Sequence, residues 1–183
     1  MLGRLFARSR RRNAAVSLYD SCVELARRPG FYEDLGVPDT VDGRFDMVTL
    51  HVSLALRRME RAGNALAPEA DALLRVMFDD MDRSLREMGV GDLSVGKKVR
   101  KMGEAFLGRA RAYGVALKDG DGAALEAALA RNLFRKSEAG PEQVAAMASY
   151  VLALDAELAA VGDDSLRAGT LGAATPVPAV RGA

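Results

Sequence analysis

The side chains of Val95, Val99, Met102, Phe106, Ala110, Tyr113 and Leu117 recur every three or four residues, the longest unbroken apolar period in the chain. Only an α-helix collects such positions on one face, and a helix with one apolar stripe has to be covered by something else. No stretch alternates apolar and polar residues as a half-buried strand would, so the cover is itself helical. The expectation is an all-α fold, an irregular bundle of about six helices with an ordered loop at 31–44.

The other helices follow from the same period and from their stop signals. Asn13 is placed to cap a helix whose stripe is Ala15, Leu18, Tyr19, Cys22 and Ala26, ended by Pro29 and Gly30. A second helix runs from Phe45 to about Arg61; it is apolar around much of its girth and so belongs at the centre. A third, Ala67 to Met88, opens with Pro68 in its first turn and turns Ala70, Leu74, Met77, Phe78, Met81, Leu85 and Met88 inward. The tight link through Gly89 and Gly91 makes it an antiparallel hairpin with the fourth helix, capped by Asp92 or Ser94. Gly96, Gly103, Gly108 and Gly114 interrupt that fourth helix, which implies either close approach of another backbone or a soft helix. Two more helices cover 123–134 and the stretch after Pro141, with Val144, Met147, Val151, Leu154 and Leu158 inward.

In domain terms, 1–12 is a basic N-terminal segment, 13–161 a helical domain, and 162–183, rich in Gly, Ala, Thr and Pro without periodicity, an extended or disordered tail. With 183 residues, 49% of them hydrophobic, the chain can bury one sizeable core. The single cysteine, Cys22, excludes an intramolecular disulfide and fits a reducing compartment. No run approaches the roughly 20 apolar residues of a membrane span, and the expected location is cytoplasmic.

Charge is nearly balanced, 26 Lys and Arg against 25 Asp and Glu, but it is laid down in blocks. Arg4, Arg8, Arg10, Arg11 and Arg12 stand with Leu2, Leu5 and Phe6 in the first twelve residues, the composition of a segment that lies on an anionic membrane or of a solvated terminus. Lys97, Lys98, Arg100 and Lys101, with Arg109 and Arg111, lie outside the apolar stripe of the fourth helix. They suit an anionic membrane, an acidic partner, RNA phosphates or plain solvation. Without an RNA-reading motif or many aromatic residues, sequence-specific nucleic-acid binding is not expected.

Candidate chemistry is sparse. His51, the only histidine, reads as a structural imidazole bonded to the loop, for instance to Asp39 or Asp42, or as a general base. Asp79, Asp80 and Asp82 precede Arg83 and Arg86 at the spacing of a face laced with ion pairs. No metal site is expected: paired Glu-x-x-His motifs are missing, and Asp119 to Gly122 reads as a helix cap rather than a calcium loop. No cofactor is implied. The eight methionines fill the core or offer an adaptable surface to an irregular apolar client.

The densest turn chemistry is Gly36, Pro38, Asp39, Thr40, Asp42 and Gly43, with Thr40 or Asp42 placed to cap the helix that follows. VPDTVDGRFDMVTLH (Val37–His51), followed by FDDMDRSLREMGVGDLSVGKKVRKM (Phe78–Met102) and GRARAYGVAL (Gly108–Leu117), resembles the ubiquinol-cytochrome c chaperone family, over about Tyr19 to Tyr150. The resemblance implies a non-catalytic assembly factor for the respiratory cytochrome bc1 complex that holds newly made cytochrome b. Its partners would be cytochrome b or other bc1 subunits and a second assembly factor, with peripheral contact at the inner face of a bacterial inner membrane. Ribosome contact, known for mitochondrial relatives, stays open for this chain. By the same resemblance the client-binding residues are Pro38, Asp39, Thr40, Asp42, Gly43, Arg44 and His51 in the central motif, and Asp80, Asp82, Arg86 and Asp92 around the hairpin. The alternative from the residues alone is a helical enzyme using His51 and nearby carboxylates, or a metal-binding helical protein.

Overall fold

A computed structural model of the chain describes residues 2–179, with side chains described from Phe6 onward. The helices are α1 (Leu2–Ala26), α2 (Gly30–Glu33), α3 (Val41–Arg61), α4 (Ala67–Glu87), α5 (Asp92–Asp119), α6 (Gly122–Asn132), α7 (Pro141–Ala159) and α8 (Asp163–Ala168), with a 3-10 turn at Gly63–Ala65. Among the described residues there is no strand. The six long helices are the six read from the period; α2 and α8 are too short to show one.

Helix α3 is the axis of the bundle. Asp46, Met47, Thr49, Leu50, His51, Val52, Ser53, Leu54, Ala55, Arg58 and Met59 are all buried on it, so it has almost no solvent face. It packs against α1, α4, α5 and α7, while α1 also lies along α4, and α6 bridges α5 and α7. Leu18, Cys22, Leu73, Met77, Phe106, Tyr113, Met147, Val151 and Leu154 close the core around it. Each fully buried aliphatic or aromatic side chain contributes about 1.5–3 kcal/mol of transfer free energy, which makes α3 the element the others are held to.

Several local expectations are corrected. Asn13 does not cap a helix, because α1 already runs from Leu2 and Asn13 lies exposed within it. Helix α5 begins at Asp92 after Gly91, with no side-chain cap from Asp92 or Ser94. No backbone approaches the glycines of α5: a Cβ at Gly96, Gly108 or Gly114 would meet nothing within 4 Å, and one at Gly103 would meet only the Phe78 ring, at 3.2 Å. Met88, read as inward, is 53% exposed. Asp121 does cap α6, its Oδ1 accepting from the Ala124 N–H at 2.9 Å.

The stretch after Gly162 is more ordered than its composition predicts. It forms α8 and then runs extended, with Leu166, Leu171 and Thr175 buried. Gly169 makes this path possible. Its φ is +88°, and an added Cβ would lie 2.9 Å from Ala14 Cα on α1. Beyond it, Glu157 on α7 accepts from the backbone N–H groups of Ala174 (2.8 Å) and Thr175 (2.9 Å), while Arg28 donates to the Thr175 carbonyl at 2.5 Å.

Candidate binding site at the start of the central helix

The turn before α3 is built by its own residues. Thr40 caps the helix, its Oγ1 accepting from Gly43 N–H at 3.1 Å. Arg44 reaches back to Asp39 with two donors, at 2.6 and 3.2 Å, and lies over the Tyr32 ring at 5.9 Å. That pairing holds the Asp39 carboxyl below the usual carboxylate range. Gly43 is buried because the Pro38 carbonyl crosses directly above it; a Cβ there would sit 1.9 Å from the Pro38 oxygen. Asp42 points outward and accepts from Lys136 at 3.0 Å, which lowers its pKa.

One turn further into the protein lies an arrangement the sequence did not disclose. The Asp46 side chain, 2% exposed, is clamped between Arg109 of α5, at 2.8 Å, and Arg135 from the segment after α6. Burial raises the Asp46 pKa, while the two guanidinium groups pull it the other way. Arg109 also lies over the Phe45 ring at 5.7 Å. The cluster ties two other parts of the chain, α5 and the segment after α6, to the start of α3. Its only signal in the sequence is an acid in the second turn of a helix that is apolar around much of its girth.

His51 does not join this site. It is fully buried on the far side of α3, where Nδ1 is 2.8 Å from the Met47 carbonyl and Nε2 is 2.8 Å from the Tyr150 hydroxyl. Its partners are therefore a backbone carbonyl and α7, not Asp39 or Asp42. Phe31 packs edge-on to both rings, at 5.8 Å and 4.9 Å between centroids. Burial pushes the His51 pKa down to about 4, so the imidazole is neutral, and both nitrogens are engaged.

At the hairpin, Arg86 donates to Asp82 at 2.6 Å and also to Asp92, which bridges the end of α4 to the start of α5. Asp80 accepts from the Tyr19 hydroxyl at 2.8 Å and from Arg83 at 2.6 Å, so Arg83 pairs with Asp80 and not with Asp79. The basic block of α1 meets the acidic block of α4. Arg11 pairs with Glu69 at 3.1 Å, and Arg8 and Arg12 line a cleft with Asp71 and Asp79, whereas Arg10 faces another cleft beside Asp164. The Arg4 side chain lies outside the described ones.

Between the start of α3 and the hairpin runs a groove of about 500 Å³. Val41, Phe45, Leu85, Met88, Met102 and Ala105 supply its apolar surface. Asp42, Lys98, Lys101, Arg109 and Arg135 stand around it. The structure thus brings Asp42 of the central motif together with Lys98 and Lys101 of α5; Lys97 and Arg100 are exposed and do not line it. Among the described residues no three His, Cys, Asp or Glu side chains are gathered as metal ligands would be, and no helix is long and apolar enough to cross a membrane.

The chain is thus an all-α bundle in which three of the predicted site residues, Asp42, Lys98 and Lys101, meet at one surface groove. Comparison with known proteins places it. The family model described as "Ubiquinol-cytochrome C chaperone" matches residues 33–174, and the chain belongs to that family. It is 30% identical to the ubiquinol-cytochrome-c reductase complex assembly factor 1 of Xenopus laevis over 138 residues, 75% of this chain and 68% of that protein. It is 29% identical to the Mus musculus protein of the same name, of which it spans 46%. A crystal structure of the Cbp3 homolog from Brucella abortus superposes with a TM-score of 0.80 at 38% identity, covering 92% of this chain and 94% of that one.

Proposed function

We propose that this chain is an assembly factor of the ubiquinol-cytochrome c reductase (bc1) complex that holds newly made cytochrome b at the membrane surface. The observation that carries the reading is that the family match spans α3, α4 and α5, the helices that build the groove. Within the match, Pro38, Thr40 and Gly43 shape the turn above it, while Asp42 stands at its edge. Thr40 commits its hydroxyl to the Gly43 N–H and Asp42 its carboxylate to Lys136, so these residues set a surface. Contact with an anionic membrane is supported by Phe6, 72% exposed, beside the exposed Arg8, Arg10 and Arg12. A His51-based enzyme has no such support, since the imidazole is sealed from solvent.

Affinity purification of the tagged protein from mildly solubilised cells of its own host tests the proposal. Cytochrome b should be recovered ahead of the other bc1 subunits, and recovery of soluble proteins alone while cytochrome b is being made would refute it. Replacing Asp82 and Arg86 together by Ala should leave the protein folded, because exposed pairs contribute about 0–1 kcal/mol, yet lower bc1 content. Normal bc1 levels would remove the hairpin ion pairs from the client surface.

A further inference from the structure

The groove beside α3 carries an inference that does not depend on whether cytochrome b is the client. Part of its apolar surface is open to solvent: Val41 is 65% and Met88 53% exposed, and Leu93, at the hairpin just beyond, is fully exposed. Large apolar side chains gathered in one open concavity mark an interaction site far more often than isolated ones do. The cations around it differ in kind. Arg109 and Arg135 are committed to Asp46, and Arg135 also lies 3.8 Å from Asp42. Lys98 and Lys101, one turn apart on α5, make no ion pair among the described residues.

Shape and length narrow the occupant. The groove follows one side of α5 from Lys98 to Arg109, about 16 Å at the rise of an α-helix, or three turns. It is walled by three elements, the start of α3, the end of α4 and the flank of α5, so it is concave where a bilayer surface is flat. An amphipathic helix fits such a trough by placing side chains at i, i+4 and i+7 on the apolar surface. The two unpaired lysines add a charge requirement on one edge of that helix.

We infer that this groove binds an amphipathic helical segment of a partner protein, with its apolar face on Val41, Phe45, Met88 and Met102 and an acidic edge against Lys98 and Lys101. Partly desolvated lysine–carboxylate contacts then set the orientation of the segment and speed its arrival, while the apolar contacts hold it.

The test uses the full chain and fluorescein-labelled synthetic helices of three to four turns that share one Leu/Met stripe. One carries Glu along a single edge, and its counterpart carries Lys at the same positions. Fluorescence anisotropy should show the Glu-edged peptide binding more tightly than the Lys-edged one. Lys98→Glu with Lys101→Glu should weaken the Glu-edged peptide by at least about tenfold and let the Lys-edged peptide bind in its place. The exposed pair Arg100→Glu with Lys118→Glu, neither lining this groove, changes net charge equally and should alter affinity by less than about twofold. Met88→Asp should weaken binding even at high salt, where the contribution of the lysines is screened.

Equal binding of the two peptides, or an equal loss in the Arg100/Lys118 control, would overturn the proposal. So would failure of both peptides to bind while vesicles of phosphatidylglycerol and phosphatidylcholine bind through Lys98 and Lys101, which would make the face a lipid contact. The charge-swapped pairing keeps the result independent of any loss of folding, because a misfolded variant cannot gain the Lys-edged peptide.

Discussion

His51 and Tyr150, 99 residues apart in sequence, meet ring nitrogen to hydroxyl at 2.8 Å inside the bundle. The Nδ1 contact with the Met47 carbonyl requires a proton on that nitrogen, so Nε2 accepts and Tyr150 donates. Protonating His51 would make Nε2 a donor as well, so the Tyr150 hydroxyl would have to turn its proton away and the core would hold a cation with no counter-charge. Its folded pKa, about 4, lies below the unfolded value of 6.5, so the unfolded chain binds more protons between these limits. Stability should be full above pH 6.5 and fall as the pH drops towards 4, with a loss approaching about 3 kcal/mol from this residue. Urea denaturation at a series of pH values checks this, and His51→Gln should flatten that part of the profile.

Gly43 and Gly108 should respond in opposite directions to the same methyl group. Gly43→Ala drives a Cβ into the Pro38 carbonyl, and the forced shift of the turn should cost about 1–3 kcal/mol. Gly108→Ala, in an exposed part of α5 with open space around it, should stabilise by about 0.5–1 kcal/mol. Thermal melts of the two variants side by side decide the matter, and a stable Gly43→Ala protein would show that the turn is not fixed by that contact.

Asp46→Asn should be among the most damaging single changes near the groove. It leaves the nearly buried Arg109 without a counter-charge, for a loss of roughly 3 kcal/mol. Adding Arg109→Met should recover much of it, since the remaining Arg135 is about one-third exposed and can turn to water. Denaturation midpoints of the single and double variants give the coupling directly.

Glu157 is the clasp of the last described segment. Its pKa is lowered by the Thr175 hydroxyl and by the backbone N–H groups of Ala174 and Thr175. That part of the stability is present at neutral pH and is lost as the pH falls through the folded pKa of Glu157. Glu157→Ala should release the chain after Gly169 while leaving the helical bundle intact. Limited proteolysis should then cleave near residues 170–176 at least about tenfold faster, with the rest of the chain resistant.

What could be read from the sequence was whatever repeats with the helical period or breaks it. The six long helices, the central place of α3, the Thr40 cap and the Asp82–Arg86 pair all follow from spacing within about four residues. The Asp46–Arg109–Arg135 cluster did not, because its members are brought together only by tertiary packing, and an Arg on α5 looks the same whether it faces water or a buried acid. His51 was legible as structural, but its partners were not, since Tyr150 is remote in sequence while Asp39 and Asp42 are near. Ordering of 163–179 was hidden because Leu166 and Leu171 are too few to form a pattern; the bonds from Glu157 and Arg28 make up for that.

The seating of Gly169 on Ala14 joins a segment synthesised early to one synthesised late. Until Gly169 has left the ribosome, that side of α1 has only water or another protein to lie against. A member of a family named for guarding other polypeptides therefore passes through an unfinished state of its own. In that interval α3 and α4 already shelter the rest of its first helix, and the strip around Ala14 is what stays open.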